Sequence, residues 1–286
     1  MEQNARLLFL LPVATYPDPT TKLGLGSALA MASRFGAGVT AVVQEVDITP
    51  IHSAVGEAVL GVSRLAGEAE ARSRDRVREI REWMQDRADR LAVPIELQTI
   101  RSRPEGFADD LFPAARCHDL TISILDTSDP QRLAETEALI FETGGAVMVI
   151  PATEPAIPVA EQRAIPLIVL VAWDGGRAAA RSIRDAVPIL KQADTVHLLT
   201  VDDDKPVSNT DGILKFFARH GIKAKHITRL RGKSPIGDTL QAVAASLDAD
   251  LLVMGAYGHN RLQEFVLGGA TRTILRGLRL PVLMSH

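Results

Sequence analysis

Short apolar runs recur along this chain, separated by longer stretches whose apolar residues return every three or four positions. Strand-length runs rich in Val, Ile and Leu that alternate with helical patterns are the signature of βαβ units and a parallel sheet. The pattern predicts five strands in the first half, at LLFLLPV (7–13), VTAVVQEV (39–46), PIELQTI (94–100), LTISILD (120–126) and AVMVI (146–150). It predicts five more in the second half, at PLIVLVAW (166–173), TVHLLTV (195–201), AKHITR (224–229), DLLVMGA (250–256) and PVLMS (281–285). One of the helical stretches, RDRVREIREWMQDRADRLA (74–92), places Val77, Ile80, Met84, Ala88 and Leu91 on one face. The seven acidic and seven basic residues between Glu68 and Arg90 fall mostly elsewhere and read as a solvated face.

The two halves repeat one another. FADDLFPAARCHDLTIS resembles IGDTLQAVAASLDADLLVM, each a helix that leads through an acidic residue, Asp119 or Asp250, into a buried strand. An R-x-R pair ends the third strand twice, as Arg101 and Arg103 and again as Arg229 and Arg231, and reads as charge protecting an edge. Between the copies, PATEPAIPVAEQRAIP (151–166) carries four prolines, which hold the chain extended. The predicted organisation is an α/β protein with domains at 1–153 and 164–286 and a linker at 154–163. Each domain is an open five-stranded parallel sheet with helices on both faces, and 286 residues suffice for two such cores.

Composition narrows the function classes. A net charge of -3 gives no global attraction to nucleic acid or an anionic membrane. No apolar segment approaches the roughly 20 residues that span a bilayer, so a cytoplasmic protein is expected. The single cysteine, Cys117, cannot form an internal disulfide or by itself a thiolate metal site, and is expected to be a small buried hydrophobe. The seven histidines show no metal-ligand spacing, and no metal site is expected. Nucleophile-elbow, Walker-type and dinucleotide-fingerprint motifs are absent from the places where they would act. No catalytic residues are assigned, and the expectation is a protein that is not an enzyme.

One stretch carries candidate chemistry. In MGAYGHNRLQEFVLGGATRT (254–273), Gly255 and Gly258 follow a strand, and Gly268 and Gly269 precede a helix that starts near Thr271. Such a helix start offers free N–H groups to an anion, and glycines let backbone approach phosphate oxygens closely. The same glycines would serve equally to end a strand and cap a helix. His259 could add a charge-assisted hydrogen bond to a phosphate, and Arg261 and Arg272 flank the loop.

The G-x-x-G-x9-G spacing, with LIVLVAWDGG as first strand and LRLPVLMSH as closing strand, resembles the universal stress protein family. That resemblance implies the strand order 3-2-1-4-5, as in adenine nucleotide α-hydrolase-like folds, and a site for ATP or a related adenine nucleotide, with magnesium, in the second domain. It places Asp174 at the adenine end, the Val201 region beside the base, and Gly255, Gly258 and Gly268 around ribose and phosphates, with His259, Gly269 and Thr271 alongside. Gly269 departs from the family pattern, which has Ser or Thr there, and Thr271 lies two positions away. The first domain lacks the glycine motif and is degenerate; Gly144 and Gly145 read as a helix C-cap.

The family resemblance also implies a stress-response sensor or regulator that acts through contacts with a protein partner, its two domains packed as an intrachain pseudo-dimer through their final strands. A homodimer of chains is a further possibility. The alternatives are a nucleotide-free scaffold, or a nucleotide hydrolase or transferase.

Overall fold

The computed structural model describes residues 6–48, 62–153, 166–202, 207–230, 232–257 and 269–286. The first half runs β1 (Leu8–Val13), α1 (Lys22–Phe35), β2 (Gly38–Val46), α2 (Val62–Arg90), β3 (Ile95–Ser102), α3 (Phe107–Ala115), β4 (Leu120–Leu125), α4 (Pro130–Glu142) and β5 (Ala146–Pro151). The second runs β6 (Ile168–Trp173), α5 (Arg177–Leu190), β7 (Thr195–Asp202), α6 (Thr210–Arg219), β8 (Ala224–Leu230), α7 (Ile236–Ser246), β9 (Leu251–Gly255), α8 (Gly269–Arg276) and β10 (Val282–Ser285). All ten strands form one sheet in the order β3-β2-β1-β4-β5-β10-β9-β6-β7-β8. Each half thus contributes the order 3-2-1-4-5. The two five-stranded sheets meet edge to edge, where β10 pairs antiparallel with β5 through Val282–Val149, Leu283–Met148 and Met284–Val147. The proposed linker, 154–163, lies outside the described residues.

Helices cover both faces, which is why the central strands are apolar at successive positions instead of alternating. Phe9, Leu11 and Val13 of β1 point into a core shared with α1 and α2, and that core continues under α5 and α6 of the second half. Leu10 points to the other face, against Phe107 and Leu111 of α3. On that second face, Leu139 and Ile140 of α4 join Leu240 of α7 and Ile274 of α8 in one cluster that crosses the seam. Val77, Ile80, Met84 and Ala88 of α2 are buried, as their spacing requires.

The repeated acidic residue has one job in both halves. Asp119 accepts the Leu8 N–H at 2.8 Å and Asp250 accepts the Ile168 N–H at 2.8 Å, so each ties the start of its half's fourth strand to the start of the first. Polar ties also cross the seam. Arg181 of α5 donates to the Gly144 carbonyl, and Arg34 of α1 pairs with Asp194 at 3.4 Å. Gly144, with φ of +74°, follows the C-cap of α4 in the left-handed conformation that a glycine cap supplies. Cys117 corrects the sequence expectation: it is exposed. It sits in the turn between α3 and β4, its N–H bonded to the Ala114 carbonyl, a position that faces outward before the chain dives into the sheet.

His197 of β7 lies opposite Lys225 of β8, with Nδ1 buried and lacking a hydrogen-bond partner. Desolvation first, and the Lys225 charge second, hold its pKa below the ordinary histidine value. The folded protein therefore resists a proton that the unfolded chain accepts near pH ~6.5, so this contribution is full above that pH and is lost as pH falls through it. Urea midpoints are expected to drop between neutral and mildly acidic pH, and the drop to be smaller in His197→Gln. An unchanged pH slope in the variant would remove His197 from the account.

Candidate functional site

In an open parallel sheet a ligand site forms beyond the carboxyl ends of the strands, where the strand order reverses. In the second half that point lies between β6 and β9, which pair through Val169–Leu251 to Val171–Val253 before diverging toward α5 and α8. A cleft of about 610 Å³ opens there, within the size range of small-molecule sites. Its inner wall is apolar, formed by Ala172 and Trp173 of β6, Leu199 and Val201 of β7, Ile236 and Leu240 of α7, and Met254 of β9. Its polar rim is formed by Asp174, Gly255, Gly269, Thr271 and Thr273.

Of the residues singled out from the sequence, the cleft brings together Asp174, Val201, Gly255, Gly269 and Thr271. Gly258, His259, Arg261 and Gly268 lie outside the described residues. Arg272 is exposed on α8. Asp174 is exposed at the mouth, where its Oδ1 accepts the Gly176 N–H at 2.7 Å and shapes the turn into α5. Gly175 in that turn has φ of +77°, a conformation that an L side chain rarely takes.

Gly255 owes its identity to packing. A side-chain carbon there would meet the Ala179 backbone nitrogen and lie 2.5 Å from the Ala178 carbonyl carbon, so α5 can rest on the end of β9 only if this residue is glycine. Gly269, by contrast, starts α8 with open space where a side chain would be. The missing hydroxyl at that position is therefore not excluded by shape.

Thr271 is buried and its Oγ1 accepts the Tyr257 N–H at 3.2 Å, so one lone pair is already engaged in holding the end of β9 against α8. Tyr257, which also lines the cleft, has φ of +54° and stacks on Phe141 of α4 at 4.2 Å between ring centroids. His286 packs edge-on against Phe141 at 4.9 Å. Burial first, and then the nearby Glu137 charge, push the Tyr257 hydroxyl pKa well up, so the phenol stays neutral. The cleft wall is thereby joined to the first half through one aromatic stack. Sequence reasoning missed Trp173, Ile236 and Leu240 as site residues, because each reads as ordinary core in its own element, and Tyr257, which sits among the loop glycines just past β9; they converge only through the sheet order.

The equivalent place in the first half is closed. Ala14 and Ile124 stand where the second half has Asp174 and Gly255, by the matching registers Phe9–Leu120 and Val169–Leu251. A residual space of about 30 Å³ remains, bounded by Phe107, Leu111, Arg132 and Glu135. Arg132 pairs with Glu135 at 2.8 Å and donates to the Asp18 carbonyl at 3.0 Å. Arg76 of α2 donates to the carbonyls of Thr15 at 2.6 Å and Pro17 at 2.7 Å. Two arginines thus pin the loop after β1 across the strand ends.

Among the described residues no group of three or more His, Cys, Asp or Glu is placed to hold a metal ion, and no helix is long and apolar enough to cross a membrane.

Residues 167–286 match the family described as the universal stress protein family. A universal stress protein from Synechocystis sp. is 28% identical over 123 residues, covering 40% of this chain and 41% of that protein. The chain therefore matches less than half the length of this curated relative. Among solved structures, a universal stress protein from Archaeoglobus fulgidus superimposes with a TM-score of 0.69 at 12% identity, covering 97% of each chain. A functionally unknown protein from Pseudomonas aeruginosa PAO1 gives a TM-score of 0.57 at 17% identity, covering 96% of this chain and 92% of its own. At these identities the structural likeness is one of fold, and it runs through both halves. The sequence match to the universal stress protein family falls on residues 167–286, the half that holds the open cleft, and the fold likeness extends over both halves.

Proposed function

We propose that the second half binds an adenine nucleotide, ATP or a close relative, in the cleft between β6, β9, α7 and α8, and that the chain acts as a stress-response regulator read by another protein. The observation that carries this reading is the contrast between the halves. The same strand ends enclose about 610 Å³ in the second half and about 30 Å³ in the first, where Phe107, Leu111, Ile124 and the Arg132–Glu135 pair close in on the place. The apolar wall formed by Leu199, Val201, Ile236, Leu240 and Met254 suits a flat base, with Asp174 at the adenine end. The first turn of α8, from Gly269 through Thr271, offers N–H groups and the positive end of the helix to phosphates. Asp174 is the carboxylate in the described lining, which favours binding over turnover.

Calorimetric titration of ATP, ADP and AMP with magnesium into protein stripped of carried-over ligand tests this reading. Saturable binding near one site per chain is expected. In Trp83→Phe, where Trp173 in the cleft wall is the remaining tryptophan, the same titration is expected to change fluorescence. No saturation up to millimolar nucleotide would overturn the reading and leave a nucleotide-free interaction protein.

Gly269→Ser supplies a second test. The substituted side chain enters open space at the first turn of α8 and adds a hydroxyl that can donate to a phosphate oxygen. Affinity is expected to rise about fivefold, the worth of one added hydrogen bond of about 1 kcal/mol, while Gly269→Ala brings no gain. Equal affinities for the Ser and Ala variants would place the phosphates away from this turn.

A further inference from the structure

The outer edge of the second half carries a charge pattern that the cleft does not use. Between Asp211 and Asp238 the chain holds seven lysines and arginines and two histidines, with no aspartate or glutamate, in a protein whose net charge is -3. β8 lies in the middle of this run and is the last strand of the sheet. Its residues Lys225, His226, Thr228 and Arg229 are exposed, and Leu230 is 81% exposed. Among the described residues no ion pair neutralises Lys223, Lys225, Arg229 or Lys233.

The opposite edge of the sheet is built differently. On β3, Arg101 pairs with Asp47 at 3.1 Å and with Glu70 of α2 at 3.6 Å, and Arg81 of α2 donates to the Leu97 carbonyl and to Thr99. That edge is neutralised and partly guarded by its own long helix. The β8 edge has neither feature.

Register places Lys225 and Arg229 on the face shared with His197 and Val201. Beside Arg229, a shallow groove of about 510 Å³ runs between β8 and α7, lined also by Arg279, Ser234, Thr239 and Ser246, with Asp238 its acidic member. We propose that β8 is a docking edge for an extended acidic segment of another protein, which adds to the sheet as a further strand and sets acidic side chains at alternate positions over Lys225, Arg229 and Arg279.

Three features favour that occupant. An edge strand presents unpaired N–H and C=O groups, which an extended segment satisfies in full. A second copy of this chain would bring an equally basic β8, so like charges close the edge to self-pairing and leave it open to a strand of opposite sign. A nucleic acid strand would be drawn by the same charge but needs aromatic platforms for its bases. The large exposed hydrophobic side chains among the described residues are Leu8, Leu23, Leu65 and Leu230, none of them aromatic. The proposal stands independently of whether the cleft takes a nucleotide.

The test uses the full chain and fluorescent peptides of about ten residues, the length of a long strand, alternating glutamate and valine. One peptide is unmodified, one is N-methylated at its odd backbone nitrogens and one at its even ones; oligo-dT serves as the polyanion control. Anisotropy is expected to show binding of the unmodified peptide and of one methylated form, with the other weakened about tenfold or more, because only alternate N–H groups face β8. The double charge reversal Lys225→Glu with Arg229→Glu is expected to weaken peptide binding about tenfold or more, with an unchanged thermal midpoint since both side chains are exposed. Absence of peptide binding, equal binding of both methylated forms, or tighter binding of oligo-dT would each overturn the proposal.

Discussion

Gly255→Val is expected to lower the stability of the protein by about 3 kcal/mol, near the upper end of what overpacking a well-filled site costs. The obstruction is backbone on the other side, the Ala178 carbonyl carbon and Ala179 nitrogen of α5, and backbone in a helix cannot step aside as a side-chain tip can. The first half solves the same contact in reverse. There the strand carries Ile124 and the helix carries Gly24, where a side-chain carbon would run into the Ile124 side chain. One partner of each strand–helix pair has to be glycine, and the two halves chose different partners.

Thermal and urea unfolding of Gly255→Ala and Gly255→Val in the absence of any ligand checks this account. Both are expected to be destabilised, valine more, whereas Gly269→Ala is expected to leave the midpoint almost unchanged because nothing lies within 4 Å of the added carbon. A near-normal midpoint for Gly255→Val would mean that α5 can lift off β9, and the glycine would then have to be explained by ligand contact. The comparison also guards the binding experiments: loss of nucleotide binding in a Gly255 variant would report a disturbed fold before it reported a lost phosphate contact.

The second large effect is expected at the seam. Leu283 is fully buried at the centre of β10, hydrogen-bonded between β9 on one side and β5 on the other, and it faces Met148 across the antiparallel pair. Leu283→Ala is expected to cost about 3 kcal/mol, made up of lost transfer energy and the cavity left behind. Met148→Ala is expected to cost a similar amount. The double variant should fall short of the sum, since the two cavities merge and the second truncation removes fewer remaining contacts.

The unfolding transition itself carries information. One apolar cluster runs from Phe9 and Leu29 in the first half to Ile183 and Leu198 in the second, so the wild-type chain is expected to unfold in a single cooperative step. A Leu283→Ala cost below about 1 kcal/mol, outside the usual range for a buried leucine, or two separate transitions in the wild type, would mean that the halves stand without each other.

Much of the architecture is written in local chemistry. Runs such as LLFLLPV and LIVLVAW are too apolar for any place but a sheet covered on both faces, and the observed strands begin and end within two residues of the predicted ones. The Val77, Ile80, Met84, Ala88 spacing determined the buried face of α2, because a helical period leaves no other arrangement that keeps fourteen charges in water. The recurrence of Asp119 and Asp250 exposed the duplication, and the structure supplies its reason in the two matched bonds to Leu8 and Ile168.

What the tertiary structure alone decided are meetings between residues far apart in the chain. Nothing near Gly255 in sequence announces that α5, more than seventy residues upstream, presses on it. Thr271 reads as a free hydroxyl at a helix start until Tyr257 is placed beside it. Arg76 and Arg132 lie on their own helices far along the chain, yet both reach the loop after β1, and Arg132 also bounds what remains of the first half's cleft. Cys117 reads as a core residue by composition and is turned outward by the α3–β4 connection. Periodicity determines which face of an element is buried, since that depends only on the spacing of its own side chains. Which partners fill or vacate the space at a strand end depends on sheet order and helix placement, and these are properties of the assembled fold.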